Sequence, residues 1–321
     1  MMNVLVTGGC GFIGSHFVEE LLKNSNVGCV VNIDKMTYAS NKTLPFQSNE
    51  LYFHHKININ SPYILEILKE KNINYIVHFA AESHVDNSIA NSDPFIDTNI
   101  NGTYDLLKTS LSYINNGGNL IKFIHVSTDE VYGSLNFDDA PFTINSPYRP
   151  NSPYAASKAA SDLLVRSYIH THKFPAIITN CSNNFGPRQF PEKLIPLCIK
   201  KLKNKQSIPL YGNGENIRDW IYVKDHVNAL LHVLENGILG NQYLIGGDKE
   251  ISNYDLIHIL GYEYYKLTFT NVDWTLFNFV EDRKGHDLRY AIDTTEFKKE
   301  FPIWKLSSFN DSIRDTITSY L

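Results

Sequence analysis

Gly8-Gly9-Cys10-Gly11-Phe12-Ile13-Gly14 stands between an apolar run, Asn3–Thr7, and a helix pattern, Phe12–Lys23. Gly8, Gly11 and Gly14 fit the spacing G-x-x-G-x-x-G. Glycines after a strand let the backbone approach a pyrophosphate, which then rests on the helix N-terminus. Three spaced glycines alone describe a plain turn equally well. The surroundings decide the matter: a strand precedes, a helix follows, and Asp34 ends the next apolar run, twenty residues beyond Gly14. A carboxylate at that place accepts hydrogen bonds from ribose hydroxyls and repels a 2′-phosphate, which favours NAD over NADP. Lys35, next in the chain, pulls the other way.

Working outward, further apolar runs occur at Cys29–Asp34, Leu51–Ile57, Tyr75–Ala80, Ile121–Ser127 and Ala176–Cys181. Unbroken β-branched runs of this length suit strands buried on both faces. Helix patterns over Asn101–Ile114 and Pro153–His170 lie between them, so the spacing predicts βαβ units and an α/β fold: a Rossmann-type, doubly wound parallel sheet. After residue 186 the character changes. Pro187, Pro191, Pro196 and Pro209 punctuate short elements, with helices expected at Leu194–Leu202, Val223–Glu235 and Asp255–Leu260 and a strand at Tyr243–Ile245. The expected division is a dinucleotide-binding domain over 1–186, with segments near 214–250 returning to it. A smaller α/β substrate lobe covers 187–321.

Two clusters could carry chemistry. Tyr154-Ala155-Ala156-Ser157-Lys158 places a phenol and an ammonium on one helix face. A cation beside a tyrosine lowers its pKa and makes phenolate available as a base. A surface Tyr and Lys at this spacing are common, and only the glycine loop upstream lifts the pair above that reading. Ser127-Thr128-Asp129-Glu130 ends the run Ile121–Val126, at the carboxyl end of an expected parallel strand, where such sheets bind ligands. Thr128 can bond a substrate hydroxyl. Asp129 and Glu130 can divide acid and base roles if their surroundings separate their pKa values, and otherwise cap a solvated turn.

Composition narrows the classes. The net charge is −5 and no long basic run occurs, which argues against a nucleic-acid partner. Four cysteines, at 10, 29, 181 and 198, show no metal spacing, and the histidines are scattered, so no metal is expected. No basic segment followed by an apolar stretch opens the sequence and no apolar run is long enough to span a bilayer, so a cytoplasmic protein without a membrane partner is expected.

The motifs together resemble the extended short-chain dehydrogenase/reductase family, and within it the dTDP-glucose 4,6-dehydratase branch. Thr7–Ser15 (TGGCGFIGS) is similar to its glycine loop, with Cys10 where Ala is usual, and Asp34–Asn41 (DKMTYASN) to its ribose-binding turn. The branch's more specific motifs are Phe79–Asp86, Ser127–Gly133, Asn183–Pro196, Ile217–Asp225 and Asp282–Asp293. The resemblance implies that Gly8, Gly11, Phe12, Ile13, Gly14, Asp34, Lys35, Met36, Thr37, Asn58, Ile59, Phe79, Ala80, Ala81, Ser83, Thr98 and Asn184 hold NAD, with Tyr154 and Lys158. It implies that Ser83, Thr128 and Asn183 touch the sugar or its diphosphate. Lys193, Leu194, Pro209, Tyr211, Arg218, Asn253, Arg283 and His286 would line the nucleoside-diphosphate site. Two positions depart from the pattern: Asn58 stands where the family has Asp near the adenine, and Lys284 where it commonly has Pro.

The implied activity is NAD-dependent dehydration of dTDP-glucose or UDP-glucose to the 4-keto-6-deoxy sugar, in deoxysugar (for instance rhamnose) synthesis. Tyr154 would take the 4-hydroxyl proton, Glu130 the C5 proton, and Asp129 would protonate the departing 6-hydroxyl. A sugar 4-epimerase of the same family shares the glycine loop, Tyr154 and Lys158 but does not typically follow its threonine with Asp-Glu. A nucleotide-sensing protein on this fold would tend to lose the Tyr or the Lys. The apolar stripes Leu106, Leu107, Leu111 and Leu163, Leu164, Tyr168 suit packing on the sheet, and the resemblance adds a homodimer built on those helices.

Overall fold

The computed structural model describes residues 1–321. Its strands are β1 Met2–Thr7, β2 Val27–Ile33, β3 Tyr52–His55, β4 Tyr75–His78, β5 Lys122–Thr128, β6 Ala176–Cys181, β7 Asn183–Phe185, β8 Ile208–Tyr211, β9 Ile217–Tyr222, β10 Gln242–Ile245, β11 Glu250–Ser252 and β12 Phe277–Val280. Seven of them form the central sheet in the order β10-β6-β5-β4-β1-β2-β3, and every pairing in it is parallel. Their side chains explain why: β1, β2, β5 and β6 are buried nearly end to end, as strands covered on both faces must be. Helices cover the two faces over separate apolar clusters of 42 and 19 buried residues.

Strand order reverses between β1 and β4. The connections leaving those two strands diverge to opposite faces and open a crevice at their carboxyl ends. The glycine loop leaves β1 there, and Phe79–Ser83 leaves β4 beside it.

The second half packs as a lobe around the helices Leu194–Lys203, Asn253–Thr268 and Phe309–Tyr320, with a three-stranded sheet, β11-β9-β7, and a two-stranded one, β12-β8. Two of its segments return to the central sheet. The helix Val223–Asn236 packs on the first helix, Phe12–Leu21, and β10 pairs with β6 at the sheet's edge. No helix is long and apolar enough to cross a membrane.

Several expected elements differ in extent. The third strand is only Tyr52–His55: it lies at the sheet edge, none of its residues is fully buried, and its ladder ends where β2 ends, at Ile33. The helix expected at Asp255–Leu260 runs from Asn253 to Thr268, capped by Ser252, whose hydroxyl accepts from the Asp255 amide at 3.0 Å. The helix expected from Asn101 begins at Thr103 and is preceded by a π-helical stretch, Ile96–Gly102. Wide turns of this kind re-aim side chains. Here Thr98 meets Lys35 on the crevice wall, and Asn99, buried behind it, bonds Glu82 of that wall and Ser157.

Candidate active site

The glycine loop is built for close approach. Gly8 has φ +73°, and a Cβ on it would lie 2.8 Å from the Ala80 amide nitrogen. A Cβ on Gly14 would lie 2.3 Å from the Gly8 carbonyl oxygen. The helix behind the loop has Gly11 at its N-cap, no side-chain cap and no acidic residue in its first turn. Its leading N–H groups therefore remain free for an anion.

Asp34 is 6% exposed at the end of β2. Its carboxylate accepts from the Cys10 amide at 2.9 Å and from the Met36 amide at 2.7 Å, which ties the loop to the ribose turn. Lys35 is turned away from it. The ammonium donates to Thr98 at 3.0 Å and pairs with Glu82 at 3.1 Å. The cation that the sequence set against the NAD preference is thus committed elsewhere.

A cavity of about 300 Å³ fills this crevice. Its wall holds Gly8, Gly11, Phe12, Ile13, Gly14, Asp34, Lys35, Thr37, Asn58, Ile59, Phe79, Ala80, Ala81, Ser83, Thr98 and Asn184, then Thr128, Asp129, Glu130, Tyr154 and Lys158. Met36 is absent from it: with φ +61° the chain turns its side chain toward the core under the helix, leaving only its amide to serve Asp34. Asn58 lines the cavity as a neutral amide. A second cavity, about 230 Å³, shares Ser83, Glu130, Asn183 and Lys193 with the first and adds Leu194, Pro209, Tyr211, Arg218, Asn253, Arg283 and His286. Lys284 does not line it, so that departure lies outside the pocket.

The reacting groups gather on the wall of the first cavity, and Glu130 among them also lines the second. Ser152 caps the helix Pro153–His172, its hydroxyl accepting from the Ala155 amide at 3.1 Å. The Tyr154 amide donates to Ser88 at 3.1 Å, and Lys158 donates to the Val126 carbonyl at 2.9 Å. Thr128 caps a short 3₁₀ turn, Asp129–Tyr132, accepting from the Glu130 amide at 3.3 Å and donating to Asp129 Oδ1 at 3.3 Å. Asp129 Oδ2, Asn183 Oδ1, Ser127 Oγ and Ser182 Oγ are buried without a protein partner. Buried polar atoms in a native fold are normally satisfied, and those of Asp129 and Asn183 belong to residues of the cavity wall that a polar ligand would meet.

The two carboxyl groups are pushed apart. Burial, with Glu130 and Asp219 nearby, holds the Asp129 carboxyl well above the usual carboxylate range, so it stays protonated. Burial also raises Glu130, but Arg218, Lys193 and Arg283 oppose it and favour its charged form. One proton donor and one acceptor result.

The phenol behaves differently from the expectation. Burial raises Tyr154 well above its ordinary value, with Glu130 and Cys181 adding to it, while the Thr128 hydroxyl pulls down. Lys158 does not lower it: its ammonium is spent on Val126, and burial depresses its own pKa against the pull of Asp162 and Cys181. A further positive charge at the phenol is needed to release its proton.

Several residues of the site carried no signal of their own. Asp219, 2% exposed, accepts from the Gly247 and Lys249 amides at 2.9 and 2.7 Å and sits behind Asp129. Tyr290 lies under the Arg218 guanidinium, 4.3 Å from ring centre to carbon, and bonds Asp287. Both fall inside motifs already quoted, but nothing in their spacing sets them apart from neighbours. Glu82 and Glu192, likewise inside the motifs Phe79–Asp86 and Asn183–Pro196, line the first cavity.

Comparison with known proteins agrees with this geometry. A family model described as GDP-mannose 4,6 dehydratase matches residues 5–316. The dTDP-glucose 4,6-dehydratase of Neisseria gonorrhoeae is 41% identical over 331 residues, covering 99% of this chain and 95% of that protein. A crystal structure of a DesIV double mutant, the dTDP-glucose 4,6-dehydratase of Streptomyces venezuelae, with NAD bound, is 41% identical with a TM-score of 0.92, over 99% of this chain and 97% of that one. A UDP-glucuronic acid 4-epimerase from Bacillus cereus is 26% identical, with a TM-score of 0.88 over 99% of this chain and 98% of that one. The epimerase shares the frame, whereas the dehydratases share frame and sequence, and the chain belongs to the nucleotide-sugar 4,6-dehydratases of the extended short-chain dehydrogenase/reductase family.

Proposed function

We propose that the protein is an NAD-dependent dTDP-glucose 4,6-dehydratase, a hydro-lyase that forms the 4-keto-6-deoxy sugar nucleotide. The observation that carries this reading is the pair of carboxyl groups, Asp129 and Glu130, on the same cavity wall as Tyr154, with Asp129 Oδ2 buried and unpartnered; burial raises both, and three cations oppose the rise at Glu130. An epimerase has no use for such a pair. The glycine cradle and Asp34 fit a dinucleotide, because side chains at Gly8 and Gly14 would strike backbone. When bound, NAD supplies a two-electron acceptor for C4, the donor that later reduces C6, and a cationic ring.

The side chains do the rest. Tyr154 removes the 4-hydroxyl proton once its own is drawn off, and Thr128 polarises the 4-oxygen. A ketone at C4 acidifies C5–H, whose proton Glu130 takes. Asp129 protonates the 6-hydroxyl, which leaves as water, and Glu130 returns its proton to C5. Tyr154 gains one proton and Asp129 loses one, so there is no net uptake, and the site resets when Tyr154 releases its proton to solvent and Asp129 takes one up. Lys158 holds the ribose side of the cleft, while Lys193, Arg218 and Arg283 meet the diphosphate.

The division at 186/187 into cofactor and substrate lobes belongs to this reading. So does a homodimer through the helices Thr103–Asn115 and Pro153–His172, although Leu106 and Leu107 of the expected stripe are buried in this chain's own core, which leaves Tyr104 and Leu163, 43% and 55% exposed, to face a partner. Four free, buried cysteines suit a reducing cytoplasm.

Two results are expected. The purified protein converts dTDP-glucose, and more slowly UDP-glucose, to products lighter by one water on mass spectrometry; an unchanged mass with a galactose isomer would make it an epimerase. Gly14→Ala forces the loop from Gly8 and weakens NAD binding by roughly tenfold or more, as measured by calorimetry, since backbone strain of this kind costs about 1–3 kcal/mol.

A further inference from the structure

The mouth of the cofactor crevice is bridged by side chains that neither the glycine loop nor the catalytic cluster explains. On one side is the ribose turn after β2, and on the other the segment Gly186–Lys193, which carries the chain from β7 to the substrate lobe. Tyr38, from the first, projects outward at 53% exposed. Phe190, from the second, lines the cavity and meets the Tyr38 ring edge-on at 5.3 Å and 84°. The Tyr38 hydroxyl donates to Glu192 at 3.3 Å and accepts from Asn87 at 3.1 Å, so a third segment joins the bridge.

The root of the crossing segment is fixed. Arg188 takes up φ +66° and pairs with Glu19 of the first helix at 2.5 Å, and Tyr320 donates to the Gln189 carbonyl at 2.5 Å. With its root pinned, the segment is joined to the ribose turn at the rim by the aromatic contact and the hydroxyl bond. Phe190 and Glu192 line the same cavity as the glycine loop, so the bridge stands over the space a dinucleotide on that loop would enter.

We propose that Tyr38, Phe190 and Glu192 form a clasp across the cofactor crevice that sets how slowly NAD leaves the protein. The proposal rests on the NAD-dependent reading above. It gives the enzyme a reason to keep one cofactor through many turnovers, as a reaction with no net redox change permits.

The test is exchange of bound NAD for isotopically labelled NAD in the holoenzyme, followed by mass spectrometry, in wild type, Tyr38→Ala, Phe190→Ala and the double variant. Each single change accelerates exchange by about tenfold, the scale of an aromatic edge contact with the hydrogen bond it supports. The double variant exchanges far less than a hundredfold faster, because both changes remove the same contact. The cofactor-free variants still unfold in one cooperative transition, its midpoint lower only by the few degrees that one lost contact costs, which separates a clasp from general loosening. Wild-type exchange rates in both single variants, or effects that multiply independently, would overturn the proposal. Wild-type protein that binds no NAD would instead overturn the cofactor reading itself.

Discussion

Asp129→Asn together with Glu130→Gln leaves an enzyme whose bound NAD is still reduced by dTDP-glucose but which no longer releases water. Tyr154, Thr128 and the glycine cradle are untouched by the two changes, so oxidation at C4 survives. Elimination needs a proton taken from C5 and another given to the 6-oxygen, and both groups are then gone. General acid–base groups contribute about 10²–10⁴-fold each, so product formation falls by at least roughly 10⁴-fold. Absorbance of the reduced nicotinamide reads the first step and mass spectrometry the second. Loss of both together would mean that the pair serves binding rather than elimination.

The single variant Asp129→Asn also changes stability, with a sign that follows from burial. The folded chain holds the Asp129 carboxyl neutral, well above the usual carboxylate range, whereas the unfolded chain ionises it at neutral pH. A raised pKa stabilises the fold only below the unfolded value and loses that contribution as pH rises. Asparagine carries no such cost, so the variant melts at a higher temperature than wild type at neutral pH. The gap closes as pH falls below the ordinary aspartate range. Thermal unfolding at two pH values checks this, and a variant less stable at neutral pH would contradict it.

Tyr154→Phe has the second large effect, and it falls one step earlier. Tyr154 is 9% exposed and lines the first cavity. Its loss removes the base for the 4-hydroxyl, so neither nicotinamide reduction nor product appears, each dropping by about 10²–10⁴-fold. Phenylalanine preserves the packing against Phe95, whose ring centre is 6.3 Å away, so folding is spared. In wild type the acid limb of the rate profile lies above the ordinary glutamate range, because Glu130 and Tyr154 are both raised and both must lose a proton. A variant that still reduces NAD at the wild-type rate would move the base elsewhere.

The sheet was legible because its strands are unbroken apolar runs and its first turn is marked by glycines. Met2–Thr7, Lys122–Thr128 and Ala176–Cys181 lie where the runs placed them, within a residue or two. The π-helical stretch Ile96–Gly102 was not legible, since nothing in IDTNING breaks the period; the bonds it makes, Thr98 to Lys35 and Asn99 to Glu82 and Ser157, join residues far apart in the chain. The helices Tyr63–Glu70, Val85–Ala90 and Phe309–Tyr320 were passed over, the second being only six residues long and the third mixing polar residues with few apolar ones.

The site divides in the same way. Tyr154, Lys158 and the Thr128–Glu130 run announce themselves by spacing, and the structure brings them to one place. What they do to one another depended on three dimensions. Lys158 donates to Val126 rather than lowering the phenol, Lys35 is held by Glu82, and Asp219 comes behind Asp129 from ninety residues away along the chain. Charge partners so distant in sequence leave no local pattern.

The most direct measurement of the central claim uses dTDP-glucose carrying deuterium at C4. The account predicts a product lighter by one water that keeps the deuterium in its new C6 methyl group, with no reduced cofactor released. A product of unchanged mass with deuterium still at C4 or returned to it, or a dehydrated product whose C6 hydrogen comes wholly from solvent, would contradict it.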